Sequence, residues 1–575
     1  MERDHFDYVV VGGGTAGCVL ANRLSADGRH RVLLLEAGPR DRSPWIHLPI
    51  GYGKTMFHKT LNWGFYTEPE PNMHDRRIYW PRGRTLGGSS SINGLIYIRG
   101  QAEDYDRWAA QGNPGWSWRE VLPDFIRSEH NSRGRGPAHG ADGPLWCSDI
   151  GVPHPLIEAI IAGAAELGVP RTEDFNGGDQ DGAGYYQLFT RNGRRCSTAV
   201  AYLRPAAGRA NLRVEVNAHA TGLVLDGRRA VGVRYRQGGS MREARAGREV
   251  ILAAGALQSP QLLLLSGIGP AAELGRHGIG VVHDLPGVGE NLQDHLQIRL
   301  MYRVAKPITT NDDLASLRGK AKIGLQWLLH RSGPLAVGIN QGGLFTRVMP
   351  GAGTPDVQFH FATLSADLAG AKPHPWSGCT FSVCQLRPES RGSVTLRSAD
   401  PFAAPVMRAN YLATETDRRC TVEGIKFARR LAGTRALSHL LVEEYRPGAA
   451  VRDDAALLAF ARASGATIFH PAGTCRMGDD PMAVVDARLQ VRGVAGLRVV
   501  DCSIMPTLVS GNTSAPVVMI AEKASRMILA DARDAAADRA ASARLPAEDP
   551  ARRPAPEAAE AIHRRGPGPG GAAPI

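Results

Sequence analysis

The sequence predicts an α/β chain, α+β overall, in which a nucleotide-binding unit is followed by a part built on an antiparallel sheet. Three observations carry that expectation. The chain opens as strand, glycine turn, helix and strand ("FDYVVVGGGTAGCVLANRLSADGRHRVLLLEAG"). Short alternating runs ("VQFHFATL", "TFSVCQL", "GSVTLRS") fill the stretch from about 300 to 460, and strand, loop and helix texture returns between 485 and 530.

Taken in order, residues 6 to 11 are β-branched and aromatic and read as a strand, "AGCVLANRLSADG" has helical spacing, and "RVLLLEAG" is the second strand of a βαβ unit. A glycine- and serine-rich loop, "GRTLGGSSSINGLIYIRG", occupies 83 to 100, with "LIYI" reading as a strand. Strand and helix return between about 211 and 300, including "EVILAAGALQSPQLLLLSGIGP" and "LPGVGENLQDH". The expected domains are therefore 1–299, 300–460, and a segment at 461–530 that rejoins the first. Residues 545–575 are rich in Pro, Ala, Gly and Arg, cannot build a core, and read as a disordered tail.

With 575 residues, 43% of them hydrophobic, the chain can bury a large core. The net charge of +12 comes from scattered arginine without a dense basic run, which reads as solvated surface and argues against a nucleic-acid partner. The eight cysteines show no CxxC or zinc spacing, and His470, Cys475 and Cys502 share no ligand spacing, so no metal is expected. No signal-like or membrane-spanning apolar stretch is visible. The expected location is the cytoplasm, with peripheral contact to the inner membrane left open.

Gly12, Gly14 and Gly17 form GxGxxG between strand and helix, enclosing Thr15 and Ala16, and Glu36 ends the second strand 19 residues after the last glycine, followed by Ala37. The glycines let a pyrophosphate approach the helix N-terminus, and the carboxylate suits a ribose hydroxyl. This pattern fits FAD and NAD equally. In "FHPAGTCRMG", His470 precedes a proline and on its own reads as a loop histidine.

The βαβ opening, "GRTLGGSSSINGLIYIRG", "GALQSPQLLLLSGIG", "SRGSVTLRSADP", and "HPAGTCRMG" with "GNTSAPVVMIAEKA", in that order, resemble the glucose-methanol-choline (GMC) oxidoreductases from about residue 5 to 530, most of all the alcohol and choline dehydrogenase branch. The resemblance implies bound FAD, a Rossmann-like FAD-binding domain and a substrate domain on an antiparallel sheet. It implies cofactor contacts at Gly88, Asn93, Gly94 and Ile96 in the glycine loop, at Ala220 near the adenine, and at Asp501. Some relatives join a histidine covalently to the flavin just before that asparagine; Ile92 stands there, so the FAD is expected to be non-covalent.

The same resemblance makes His470 the general base for the substrate hydroxyl and Asn512, ahead of a helix, its partner, with hydride passing to flavin N5. The expected reaction converts a primary alcohol to an aldehyde. Aligning on the glycine pair of "GINQGGLF" puts Asn340 where choline dehydrogenases are expected to carry a glutamate, which favours an uncharged alcohol over choline. The alternatives are a choline dehydrogenase, an oxidase using oxygen, and a lyase on the same scaffold. Expected partners are the small alcohol and an electron acceptor (a quinone, a carrier or oxygen).

Overall fold

β1 (His5–Val11) and β2 (Val32–Glu36) pair in parallel, with α1 (Thr15–Leu24) crossing between them. Both strands are covered on two faces, which is why "YVVV" and "VLLLE" run apolar without alternation. The computed structural model describes residues 5–367 and 370–542; the tail expected at 545–575 lies outside them. Among the described residues, those up to Met527 form one compact unit and 528–542 belong to a second.

Leu212–Val216 extends this first sheet beside β2, and Ser240–Leu252 pairs in parallel with β1 from Arg245 to its end. The opposite end of that long strand turns antiparallel with Arg229–Gln237, which pairs in turn with Ala218–Asp226. Leu497–Val499 joins the same sheet against Val250–Leu252, although it lies some 250 residues further along.

The second sheet is antiparallel throughout. β3 (Leu296–Val304), β4 (Asn340–Thr346), β5 (Val357–Ala362) and β6 (Gly378–Gln385) stand in the order β3, β6, β5, β4, with Leu441–Arg446 outside β3 and Gly182–Tyr185 outside β4. Period-two alternation divides its faces. Ile298, Leu300, Phe359, Phe361, Phe381 and Val383 pack into a core with the helices Pro155–Glu166 and Glu415–Ala432. Gln297, Arg299, His360, Ala362, Thr380 and Ser382 line a cavity on the opposite face. A one-residue slip in register would exchange the two sets.

Two sequence expectations need correction. "LIYI" is no strand: Leu95 has φ 70°, which breaks extended pairing, and only Ile96 makes an isolated bridge, to Leu188. "GSVTLRS" supplies Ser393–Thr395, which pairs with Val406–Arg408 outside the large sheet. Among the described residues no helix is long and apolar enough to cross a membrane.

Candidate active site

A cavity of about 520 Å³ runs from the end of β1 to the open face of the second sheet. Gly12, Gly14, Thr15, Ala16, Glu36, Ala37, Gly88, Asn93, Gly94, Ile96, Ala220, Asp501, His470 and Asn512 all line it. Gly17, the remaining residue expected to hold cofactor, does not. A Cβ at Gly17 would lie 1.8 Å from Gly12 O, so this glycine serves the close packing of α1 on β1.

The loop after β2 is pressed onto the βα turn. Gly88 has φ +51° and a Cβ there would fall 2.7 Å from Gly14 Cα, while Gly87 N–H donates to Gly13 O at 2.8 Å. Glu36 is buried and accepts from Gly13 N–H (2.9 Å) and Gly38 N–H (2.7 Å), and burial raises its carboxyl to about 7. Each oxygen keeps a lone pair for a ribose hydroxyl. Asn93 is clamped by Arg195, whose guanidinium donates to Asn93 Oδ1 (2.6 Å), Asn93 O (2.8 Å) and Ser90 O (3.1 Å). Asp501 is fully engaged in structure: it accepts from Gly255 N–H (2.8 Å), Ser259 Oγ–H (2.6 Å) and Ser503 N–H (2.8 Å). A βα turn with no room for a Cβ, a helix N-terminus and a carboxylate at the end of β2 fit a dinucleotide cofactor.

At the other end His470 is buried, on the loop that follows Ala466–Thr467, and Asn512 stands just before α2 (Ser514–Ser542). Their side chains meet, Asn512 Nδ2 to His470 Nε2, at 3.3 Å. Two backbone carbonyls set the protons around this pair. Leu386 O can only accept, so His295 Nε2 (2.9 Å away) carries hydrogen; burial lowers His295 to about 4, so the ring is neutral and its Nδ1 is a bare acceptor. His470 Nδ1, 3.0 Å from it, must then be the donor, which leaves His470 Nε2 as a lone pair facing Asn512.

On the far side Phe359 O accepts from Tyr186 Oη–H (2.8 Å), Tyr186 Oη accepts from Gln358 Nε2 (3.0 Å), and Gln358 Nε2 also donates to Asn512 Oδ1 (3.1 Å). Asn512 is therefore turned with its amide nitrogen towards His470. Burial first, then His295, His360 and Arg82, hold His470 well below the ordinary histidine range, so it is an unprotonated base at neutral pH. His360, on β5, lines the same end beside Asn512, and burial lowers it to about 3.

Sequence reasoning missed His295, His360, Gln358 and Arg195. "LPGVGENLQDH" displayed His295, but its meaning depends on a partner 175 positions away. Replacing His295 by Phe is expected to lower kcat by roughly 10- to 100-fold, the effect of releasing a functional histidine from its orienting hydrogen bond. The check is steady-state kinetics with FAD content measured in parallel: a normal rate would show that His470 keeps its tautomer unaided.

Family models described as GMC oxidoreductase match residues 6–297 and 388–521. The chain belongs to the GMC oxidoreductases. This GMC protein is 44% identical to an alcohol dehydrogenase [acceptor] of Pseudomonas putida over 528 residues, covering 91% of the chain and 96% of the relative. It is 45% identical to a mitochondrial choline dehydrogenase of Mus musculus over 535 residues, covering 92% and 90%. Among solved structures it is similar to pyridoxine 4-oxidase from Mesorbium loti (TM-score 0.82, 33% identity, 90% of this chain and 98% of that one). It is also similar to formate oxidase from Aspergillus oryzae RIB40 (TM-score 0.87, 28% identity, 93% and 100%). As a GMC oxidoreductase it is an FAD-dependent enzyme acting on CH–OH donors.

Proposed function

We propose that the protein oxidises a primary alcohol to the aldehyde, with His470 Nε2 taking the hydroxyl proton and Asn512 Nδ2 holding the hydroxyl oxygen. The observation that carries this is the proton order around the pair, which leaves a lone pair on His470 and a donor on Asn512 at one point of the cavity wall. FAD, when bound, supplies the hydride acceptor. Gly12, Gly14, Thr15, Ala16, Glu36, Ala37, Gly88, Asn93, Gly94, Ile96 and Ala220 would hold it along the cavity wall, and Gly17 and Asp501 would keep that wall in shape. In this reading residues 1–299 bind the cofactor, 300–460 shape the substrate end and 461–530 bring in the pair.

A bound hydroxyl would donate to His470 Nε2 in place of the Asn512 amide, which then donates to the hydroxyl oxygen and steadies the negative charge that grows there. Proton loss and C–H cleavage then occur in a site closed by the second sheet.

Choline, named for several relatives, is the second reading, and the cavity argues against it. Asn340 on β4 lines the cavity as a neutral amide, and the only acids among its described lining residues are Glu36 and Asp501, both committed to other hydrogen bonds. The acceptor after FAD is proposed to be a quinone or carrier, following the relative named for an acceptor. The eight cysteines are all unpaired, which supports a reducing compartment.

The test is anaerobic bleaching of bound FAD by a panel of alcohols followed by admission of air; failure of every alcohol would refute the reading, and fast reoxidation would make the enzyme an oxidase. A pH profile adds a second check. Because the folded pKa of His470 is depressed, the base form persists as pH falls through 6.5, and kcat/KM is expected to stay flat across neutrality and drop only in more acid solution. A limb centred at or above 6.5 would contradict this assignment.

A further inference from the structure

Arg299 stands on β3 with its side chain in the cavity wall. Its guanidinium donates to Ala366 O at 3.3 Å and, among the described residues, pairs with no carboxylate. The acid that most influences it, Asp367, is exposed and engaged with His374, and Arg446 adds a second positive charge nearby. Burial accordingly holds Arg299 down to about 10, and Tyr52 beside it, raised to about 12, stays a neutral phenol. Arg299 is half-buried, and a guanidinium drawn partly out of water without a counter-charge costs free energy that a ligand's anion would offset.

The other cations of the lining are accounted for differently. Arg82 donates to Pro81 O (2.6 Å) and Phe469 O (2.6 Å), and Lys54 lies over the Trp45 ring at 3.8 Å. Arg299 alone stands in the row that leads to the catalytic pair: across the sheet it is opposite Ser382, which is opposite His360. Two strand spacings of about 4.8 Å put Arg299 and His360 roughly 10 Å apart at Cα.

We propose that Arg299 anchors a carboxylate at the far end of the substrate, so that the alcohol oxidised is a hydroxy acid whose CH2OH and carboxylate are separated by a chain or a ring. The proposal rests on the alcohol-oxidation reading above and replaces the uncharged alcohol expected from Asn340 alone. The carboxylate is bound and unchanged. At the other end the carbinol C–H and O–H bonds break, hydride leaves to FAD and the proton to His470, and a C=O bond forms, so the product is an aldehyde acid. A guanidinium forks two parallel N–H donors onto a carboxylate, and the same charge repels a quaternary ammonium.

The experiment compares 6-hydroxyhexanoate with 1,6-hexanediol in anaerobic reduction of the flavin by the holoenzyme, and measures hexanoate binding through the visible spectrum of the oxidised flavin. The acid is expected to exceed the diol in kcat/KM by about 10- to 100-fold, the worth of a charge-assisted pair in a dry site. Arg299→Met should bring that ratio close to one and abolish hexanoate binding, and Arg299→Lys should restore part of both. In the wild type, hexanoate should bind where hexyltrimethylammonium does not, a comparison that needs no variant. Equal rates with acid and diol, or hexanoate binding that survives Arg299→Met, would overturn the proposal while leaving alcohol oxidation intact. A hydroxyalkyl phosphate that outruns the carboxylate of the same length would overturn the choice of carboxylate. If neither alcohol bleaches the flavin, the alcohol reading fails and the hydroxy-acid substrate fails with it.

Discussion

His470→Ala is expected to slow the anaerobic reduction of bound FAD by a primary alcohol by about 100- to 10,000-fold, the usual contribution of a positioned general base. The structure supplies the reason. Asn512 is a donor towards this point of the wall, and His295 stands behind His470, bonded to Leu386 O and to His470 Nδ1 and making no bond to Asn512. Loss of His470 removes the ring nitrogen that faces Asn512 Nδ2. The residue sits at the substrate end of the cavity, away from the βα turn, so FAD content should be retained and the defect should appear in kcat. His470→Gln, which keeps a polar side chain without a basic nitrogen, should be nearly as slow. A His470→Ala protein that bleaches within a few fold of wild type would remove this residue from the chemistry.

The second large effect is expected at Gly17. An added methyl would lie 1.8 Å from Gly12 O and 3.0 Å from Gly12 C, both backbone atoms that cannot swing aside. Accommodating it means separating α1 from β1 at the turn that faces the cofactor, at a cost of about 3 kcal/mol or more. Gly17→Ala is therefore expected to yield little folded protein, with no flavin absorbance and a lowered Tm. Gly14→Ala is the comparison that separates folding from binding. Its Cβ would meet nothing nearer than Ala253 O at 3.9 Å, so the fold should survive while the methyl intrudes on the phosphate approach. Equal flavin content in both variants and wild type would refute the cradle as described.

What could be read from the sequence follows the range of the interactions involved. The βαβ unit and Glu36 were legible because their residues lie within 32 positions of one another and one local spacing decides them. The antiparallel sheet was legible in β5 and β6 because apolar residues alternate with polar ones along each strand, although both faces are buried. "LIYI" misled because its apolar residues are buried by a loop, with Tyr97 N–H donating to Gln187 O, rather than by a ladder. Scattered arginine misled as well. Arg99, Arg195 and Arg498 are buried and Arg299 is half-buried, each held by carbonyls, carboxylates or side chains distant in the chain. His295 and Gln358 belong to the same group: a proton order spanning Leu386, His295, His470, Asn512, Gln358, Tyr186 and Phe359 has no local signature.

The central claim is that an alcohol C–H bond is broken and its electrons enter FAD while His470 takes the proton. Stopped-flow bleaching of the flavin by a primary alcohol and by the same alcohol deuterated at the carbinol carbon, without oxygen and with aldehyde quantified, tests it most directly. The account predicts one aldehyde per flavin reduced and a clearly slower bleach with the deuterated alcohol. Aldehyde formed while the flavin stays oxidised, or bleaching with no aldehyde, would contradict it.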